Sequence, residues 1–275
     1  MDSCLHSYFV RNEELRSTCD FNGDETSLTG FVYEVVRVID GVPLFLDDHI
    51  NRLKASAEAA AIKLPVSEKF INQSFKALII NNKVSEGNIK CVLGNRSANR
   101  VYYAAWFQPH AYPAAEMYSN GVIIGLLDEG RYNPKAKVWR AEFQERILKQ
   151  KKEQQVFEVL LIPDGALTEG TKTNVFLIKN NEVFTAPSDQ VLQGITRTKV
   201  VELAKDNNIL LFEKNLVLAD LLEADAVFLT GTSPKILPVK SILDHPKLYQ
   251  VDHPVLQRFI KLYDKLIQQY IARHK

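Results

Sequence analysis

From Phe31 to Ile39 apolar and polar side chains alternate, and Asp40-Gly41 then separates this run from a second apolar stretch, Val42 to Leu46. Alternation of this kind commits the segment to a strand with one buried face, and Asp-Gly is a strong signal for a tight two-residue hairpin turn. A one-residue slip would turn every side chain to the wrong side. The period of two places Tyr33, Val35 and Arg37 on one face and Glu34 and Val36 on the other. After Asp47-Asp48 the period changes: Ile50, Leu53, Ala57 and Ala60 recur at helical spacing, and His49, Arg52 and Ser56 share a different stripe of the same helix.

The rest of the chain continues the mixture. Leu64-Pro65 closes the first helix, Ser67 can cap a second, and Ile71, Phe75 and Leu78 give that helix its buried face. Strands are predicted at Ile89 to Leu93 and Arg100 to Phe107. The two prolines of the Gln108 to Pro113 segment mark a linker, which divides the chain into a small domain, 1–112, and a larger one, 113–275. Beyond it, Val122 to Leu127 reads as a strand, and Trp139, Phe143 and Ile147 mark a helix starting close to Lys137. Phe157 to Ile162, Val175 to Ile178 and Val183 to Thr185 read as strands, with turns at Asp164-Gly165 and Asn180-Asn181. Helices are predicted from Thr198 to Lys205, over Asp220 to Glu223, and along the C-terminal stripe Val255, Phe259, Leu262, Leu266 and Tyr270. Strands grouped with helices in both halves, without strict strand-helix alternation, predict an α+β protein of two domains. An interface between domains is a favoured place for a cofactor.

Composition limits what such a chain does. The 275 residues, 46% of them hydrophobic, are enough for one large or two modest cores. Lys and Arg number 34 against 33 for Asp and Glu, so no net charge draws the molecule onto nucleic acid or an anionic membrane, and any phosphate must be bound locally. Cys4, Cys19 and Cys91 are odd in number and lack metal-ligand spacing, which argues against a disulfide framework and against a metal site. The start lacks the charge and apolar core of a signal peptide and no later run is long enough to span a membrane, so a cytoplasmic protein is expected.

Four short motifs carry chemistry. Lys137 precedes a helical pattern, and 32 residues later comes Thr168-Glu169-Gly170-Thr171-Lys172-Thr173-Asn174, followed by Gly194-Ile195-Thr196-Arg197 and by Leu229-Thr230-Gly231-Thr232. Together they supply an amine, a carboxylate and two turns whose backbone amides can hold an anion, which are the parts of a pyridoxal phosphate site. Arg52, in Asp48-His49-Ile50-Asn51-Arg52-Leu53, offers a guanidinium fork suited to a phosphate dianion.

In order and spacing these motifs resemble the class IV (fold type IV) pyridoxal-phosphate aminotransferases, a family that includes the branched-chain and D-amino acid aminotransferases and aminodeoxychorismate lyase. The resemblance runs from about Phe31 to Val239. It implies a two-domain fold, a Schiff base between Lys137 and pyridoxal 5'-phosphate, and Glu169 as partner of the pyridine nitrogen. Gly194, Ile195, Thr196, Thr232 and Arg52 then hold the phosphate. Spacing to the glutamate favours Lys137 over its neighbour Lys135, and Asn174 supports the turn. Tyr33 and Arg37, with Lys90 on the Asn88 to Val92 strand, are candidates for substrate binding, as is Ser233 in the loop that borders the substrate in the family.

The chain departs from the family where Val138-Trp139-Arg140 follows the lysine and where Ser233-Pro234-Lys235 follows the second turn. Tyr132, Trp139 and Phe143 read as core aromatics, and the histidines as structural or solvated. The resemblance implies amino transfer between an amino acid, branched-chain first, and a 2-oxo acid, in a homodimer. Two alternatives stand beside it: a 4-amino-4-deoxychorismate lyase releasing pyruvate and p-aminobenzoate, and a non-catalytic cofactor-binding protein.

Overall fold

The computed structural model describes residues 3–21, 31–64, 66–97, 100–131 and 136–275; Pro65, Tyr132 and Lys135 lie outside the described residues. The chain forms two compact units. The first comprises residues 1–111 with the segments 136–141 and 267–275, and the second comprises 112–135 and 142–266.

The first unit is built on β1 (Leu5–Arg11), β2 (Glu14–Ser17), β3 (Val32–Ile39), β4 (Val42–Pro43), α1 (Leu46–Ala59), α2 (Glu68–Asn82), β5 (Gly87–Ser97) and β6 (Arg100–Gln108). Its strands make a six-stranded antiparallel sheet in the order β2-β1-β6-β5-β3-β4. Asp40 and Gly41 both take positive φ, 53° and 75°, as a two-residue turn pairing Ile39 with Val42 requires. The second arm of the hairpin is shorter than predicted. The strand ends at Pro43, one further backbone bond follows from the Leu44 amide to the Arg37 carbonyl at 2.8 Å, and Leu46 already begins α1. One core combines Val36, Val38, Ile89 and Phe107 of the sheet with Ile50, Leu53, Phe75 and Leu78 of the helices. A second cluster, Phe9, Phe31, Val92, Tyr102, Ala104 and Trp106 with Tyr33 against it, forms separately. Ser67 caps α2 as predicted, its hydroxyl accepting from the Phe70 amide at 3.1 Å.

α1 has an unusual start. Phe45 precedes it in left-handed conformation, φ 52°, with no side-chain cap. The Leu46 amide instead donates to the Tyr270 hydroxyl at 3.3 Å, and the Phe45 and Tyr270 rings lie 4.8 Å apart. Asp47 and Asp48 in the first turn complement the helix dipole.

The second unit carries α3 (Ala115–Asn120), β7 (Val122–Leu127), α4 (Ala141–Gln154), β8 (Glu158–Leu161), β9 (Ala166–Leu167), β10 (Asn174–Lys179) and β11 (Glu182–Thr185). It continues with α5 (Ile195–Asp206), β12 (Leu211–Glu213), β13 (Leu216–Val217), α6 (Leu218–Glu223), β14 (Ala226–Gly231), β15 (Lys235–Ile242) and the first part of α7 (Pro254–His274), whose residues from Ile267 on belong to the first unit. Seven strands form a mixed sheet in the order β12-β11-β10-β14-β15-β7-β8, and β13 pairs with β9 in a separate ribbon. Val175, Leu177, Val227, Leu229, Leu237 and Val239 are the sheet's share of the core.

The helix expected close to Lys137 begins at Ala141, so Lys137 and Trp139 lie ahead of it in an extended segment where Val138 bridges to Val32. Phe143 and Ile147 do lie on the buried face of that helix. Among the described residues, no helix is long and apolar enough to cross a membrane, and no cluster of His, Cys, Asp or Glu could hold a metal ion.

Candidate active site

The candidate residues fall into two sets, one in each unit. In the first unit the centre is Glu34. It stands on the helix-facing side of β3, 1% exposed, and accepts Arg52 Nε on Oε1 at 2.7 Å and Arg52 Nη2 on Oε2 at 2.6 Å. His49 Nδ1 donates to Oε2 at 2.7 Å, and Lys137 Nζ lies 3.6 Å from the same oxygen. Burial alone would raise this carboxyl; Arg52 and Lys137, with the bonds from His49 and Arg52, hold it well below the ordinary range. Burial also lowers His49, outweighing the pull of Glu34, so the ring is neutral and its contact with Glu34 is a hydrogen bond rather than an ion pair.

The helix stripe His49, Arg52, Ser56 therefore has one purpose. Its first two members grip Glu34, and the third accepts the Lys137 backbone amide on its hydroxyl at 3.1 Å. The Lys137 carbonyl accepts from the Tyr33 amide at 3.0 Å, and the Trp139 amide donates to Phe31 at 2.6 Å, so the lysine segment is fixed to the edge of β3 by its main chain.

Tyr33 and Lys90 are brought beside Lys137, and Arg37 is not. Lys90 pairs in register with Val35 and Trp106, which puts it on the Tyr33 face of the sheet. Its ammonium, on a residue only 3% exposed, lies 3.8 Å from the Trp139 ring, 5.3 Å from Tyr33 and 5.7 Å from Trp106. Lys137 Nζ is 4.9 Å from the Tyr33 ring. Such aromatic faces stabilise a buried cation without neutralising it. Arg37 shares the face but sits about 13 Å further along the strand at ordinary strand rise.

In the second unit the Thr168–Asn174 motif folds back on β8: the Leu161 amide donates to the Glu169 carbonyl and the Thr171 amide to Val159. A Cβ on Gly170 would lie 2.2 Å from Thr173 Oγ1, so only glycine fits there. Glu169 is 2% exposed; Arg131 Nε donates to its Oε1 at 2.5 Å, while Asn174 Nδ2 and the Leu192 amide approach Oε2 at 3.4 and 3.3 Å. Burial pushes the Glu169 carboxyl above its ordinary value, against the pull of Arg131.

Asn174 links this acid to the next motif. Its amide also donates to the Leu192 carbonyl at 2.8 Å, and a Cβ on Gly194 would meet its Oδ1 at 2.1 Å. Gly194 is the N-cap of α5 and no side chain caps the helix, leaving the first-turn amides of Ile195 and Thr196 and the positive end of the helix for an anion. Arg197 turns away to the Ala186 carbonyl and Glu213. Asn174 opens β10 opposite Thr230 near the end of β14, so Thr232 and Ser233, in the turn that follows, lie at the same end of the sheet. The Thr230 hydroxyl is buried with no hydrogen-bond partner among the described residues.

Two residues outside the sequence reading organise this set. Arg131 is one; it lies 38 residues from its partner and no motif marks it. Glu158 is the other: 1% exposed, it accepts Thr171 Oγ1 at 2.5 Å, Thr173 Oγ1 at 3.1 Å, the Lys172 amide at 3.2 Å and its neighbour Val159's amide at 2.9 Å, with Lys151 Nζ at 3.3 Å. The threonines of the motif thus serve a second glutamate. Burial opposes its ionisation, but Lys151 and these donors keep it below the ordinary range.

Residues 31–242 match the amino-transferase class IV family, and the chain belongs to it. It is 35% identical over 222 residues to a D-alanine aminotransferase of Bacillus licheniformis, covering 77% of this chain and 78% of that one. Its fold is that of the branched-chain amino acid aminotransferase of Escherichia coli, TM-score 0.82 at 23% identity over 96% of this chain and 95% of the other. A putative 4-amino-4-deoxychorismate lyase of Legionella pneumophila superimposes with TM-score 0.77 at 24% identity, over 89% and 94% of the chains. The family is pyridoxal-phosphate-dependent. A buried carboxylate with, among the described residues, a single close cation and an uncapped helix start fit the two charged ends of that cofactor, a protonated ring nitrogen and a phosphate dianion.

Proposed function

We propose that this protein is a pyridoxal-phosphate-dependent aminotransferase that moves an amino group from an amino acid to a 2-oxo acid, with Lys137 as the cofactor-bearing lysine. When bound, the cofactor supplies an aldehyde for amines and a ring that withdraws electrons from the substrate carbon. Glu169 holds the ring nitrogen, the amides of Ile195 and Thr196 with Thr232 hold the phosphate, and Arg52 contributes its guanidinium to the same dianion. The Lys137 amine accepts and returns the proton of the substrate carbon. The observation that carries the reading is Glu169: in a member of this family, a buried carboxylate held by one cation retains an oxygen with only long bonds, suited to a further cationic N–H.

Branched-chain amino acids and D-alanine are the first donors to assay, because relatives carry both names. The experiment is a visible spectrum of the purified chain with cofactor, followed by borohydride reduction and peptide mapping. The pyridoxyl mass is expected at Lys137. Finding it at Lys135 instead, or nowhere, would overturn the assignment.

A second reading is favoured by the wall around Lys90. A buried ammonium among Trp139, Tyr33 and Trp106 suits a ring-bearing carboxylate better than an aliphatic side chain. That chemistry is met by 4-amino-4-deoxychorismate. Release of pyruvate and p-aminobenzoate from it supports the lyase, whereas amino-acid-dependent consumption of 2-oxoglutarate supports transfer.

A further inference from the structure

We propose that Arg131 is a positioning residue for cofactor binding: by fixing Glu169 as an oriented anion it lets that carboxylate select a protonated ring nitrogen. The inference rests on the functional reading above and concerns a residue that no motif marks.

The geometry is asymmetric. Arg131 Nε takes Glu169 Oε1 at 2.5 Å, and its Nη2 donates to the Thr171 carbonyl at 3.3 Å, so one guanidinium spans both the acid and the backbone of the turn that carries it. Oε2 receives only the two longer bonds from Asn174 and Leu192. An ionised carboxylate has about four lone-pair sites, two to each oxygen; among the described residues Oε1 accepts one bond and Oε2 only two long ones, so capacity for a further strong donor remains. Among the described residues, the charged groups acting on Glu169 are Arg131 and, from β8, Glu158, which is itself paired with Lys151. Glu158 opposes ionisation of Glu169. Arg131 is therefore the near cation that works against both burial and the second carboxylate. Without it a buried acid gains by holding a proton, and a neutral acid has little preference for a cationic N–H over an uncharged ring edge.

The test is the affinity of the full chain, stripped of cofactor, for two ligands: pyridoxal phosphate and the analogue whose ring nitrogen is replaced by C–H. Arg131→Gln is expected to weaken pyridoxal phosphate about tenfold and to leave the analogue within about twofold. Arg131→Lys recovers part of the preference, and it carries the test if the glutamine variant does not fold. In a Glu169→Gln background, Arg131→Gln adds nothing to the loss. Equal weakening of both ligands means that Arg131 only braces the turn and overturns the proposal, as does no weakening of either. A wild-type chain that binds neither ligand overturns the functional reading itself, a result separate from any effect of the variants.

Discussion

Glu34 and Glu169 are both buried carboxylates beside residues proposed to hold the cofactor, yet their surroundings treat them in opposite ways. Glu34 is enclosed by a bidentate arginine, a lysine and a histidine, and its carboxyl is driven well below the ordinary range. Glu169 has one arginine and two long bonds, and its carboxyl is driven up. A carboxylate with its charge fully answered is scaffold. One left short of donors is built to receive one.

The largest test of this contrast is a pair of charge deletions. Glu34→Gln leaves Arg52 and Lys137 without their anion and is expected to cost about 3–5 kcal/mol in urea unfolding. Glu169→Gln neutralises a carboxyl already driven above its ordinary value and is expected to cost no more than about 1–2 kcal/mol. The reverse order would break the comparison.

Glu158 sharpens it from inside the second unit, being an answered carboxylate next to an unanswered one. Thr171→Val removes the shortest of its hydroxyl bonds and is expected to cost about 1–3 kcal/mol; Thr173→Val, whose bond is longer at 3.1 Å, costs less.

The third test is pH. His49 is held neutral, so its unfolded form binds the proton more readily, and folding stability falls as pH drops through the ordinary histidine value of about 6.5. The depressed Glu34 adds its own loss once pH falls below the ordinary glutamate value of about 4.3. Glu169 has the opposite sign: its raised carboxyl favours the folded state at lower pH, and that contribution declines as pH rises from the ordinary value to the raised one. Unfolding free energy from urea titrations, followed from neutral to acid, should decline below pH ~6.5 by up to about 1.4 kcal/mol per pH unit and proton, and His49→Gln should reduce this first phase, to which the exposed His6, also lowered, adds a smaller share.

The smallest effect belongs to the start of α1. Tyr270→Phe removes the acceptor of the Leu46 amide at a part-buried site and should cost about 0.5–1.5 kcal/mol by thermal unfolding.

Local patterns carried much of this architecture. The alternation of β3, the Asp40-Gly41 turn and the faces of α1 and α2 are written in neighbouring residues, and so is the helix stripe His49, Arg52, Ser56. What that stripe grips was half legible: Glu34 sits on the apolar face of an alternating strand, where a carboxylate demands partners. The helix start at Lys137 was misjudged because Trp139 falls at helical spacing with Phe143, whereas Val138 is taken by a bridge to Val32, a contact more than a hundred residues away in the chain. β14 and β15 were read only as motif-bearing loops, since the glycine and prolines within Thr230 to Pro238 mask a hairpin whose partners confirm it. Arg131 and Glu158 had no local signal at all. Their meaning lies in partners 38 and 13 residues distant, which only the folded chain brings close.

The bond from Leu46 to Tyr270 ties the stripe that holds Arg52 to the last turn of α7, where His274 stacks on Tyr270 at 3.9 Å and Lys275 reaches Asp40. Damage at Tyr270 would therefore be felt first at the start of the helix that presents Arg52, through the loss of the Leu46 bond, rather than in the sheet itself.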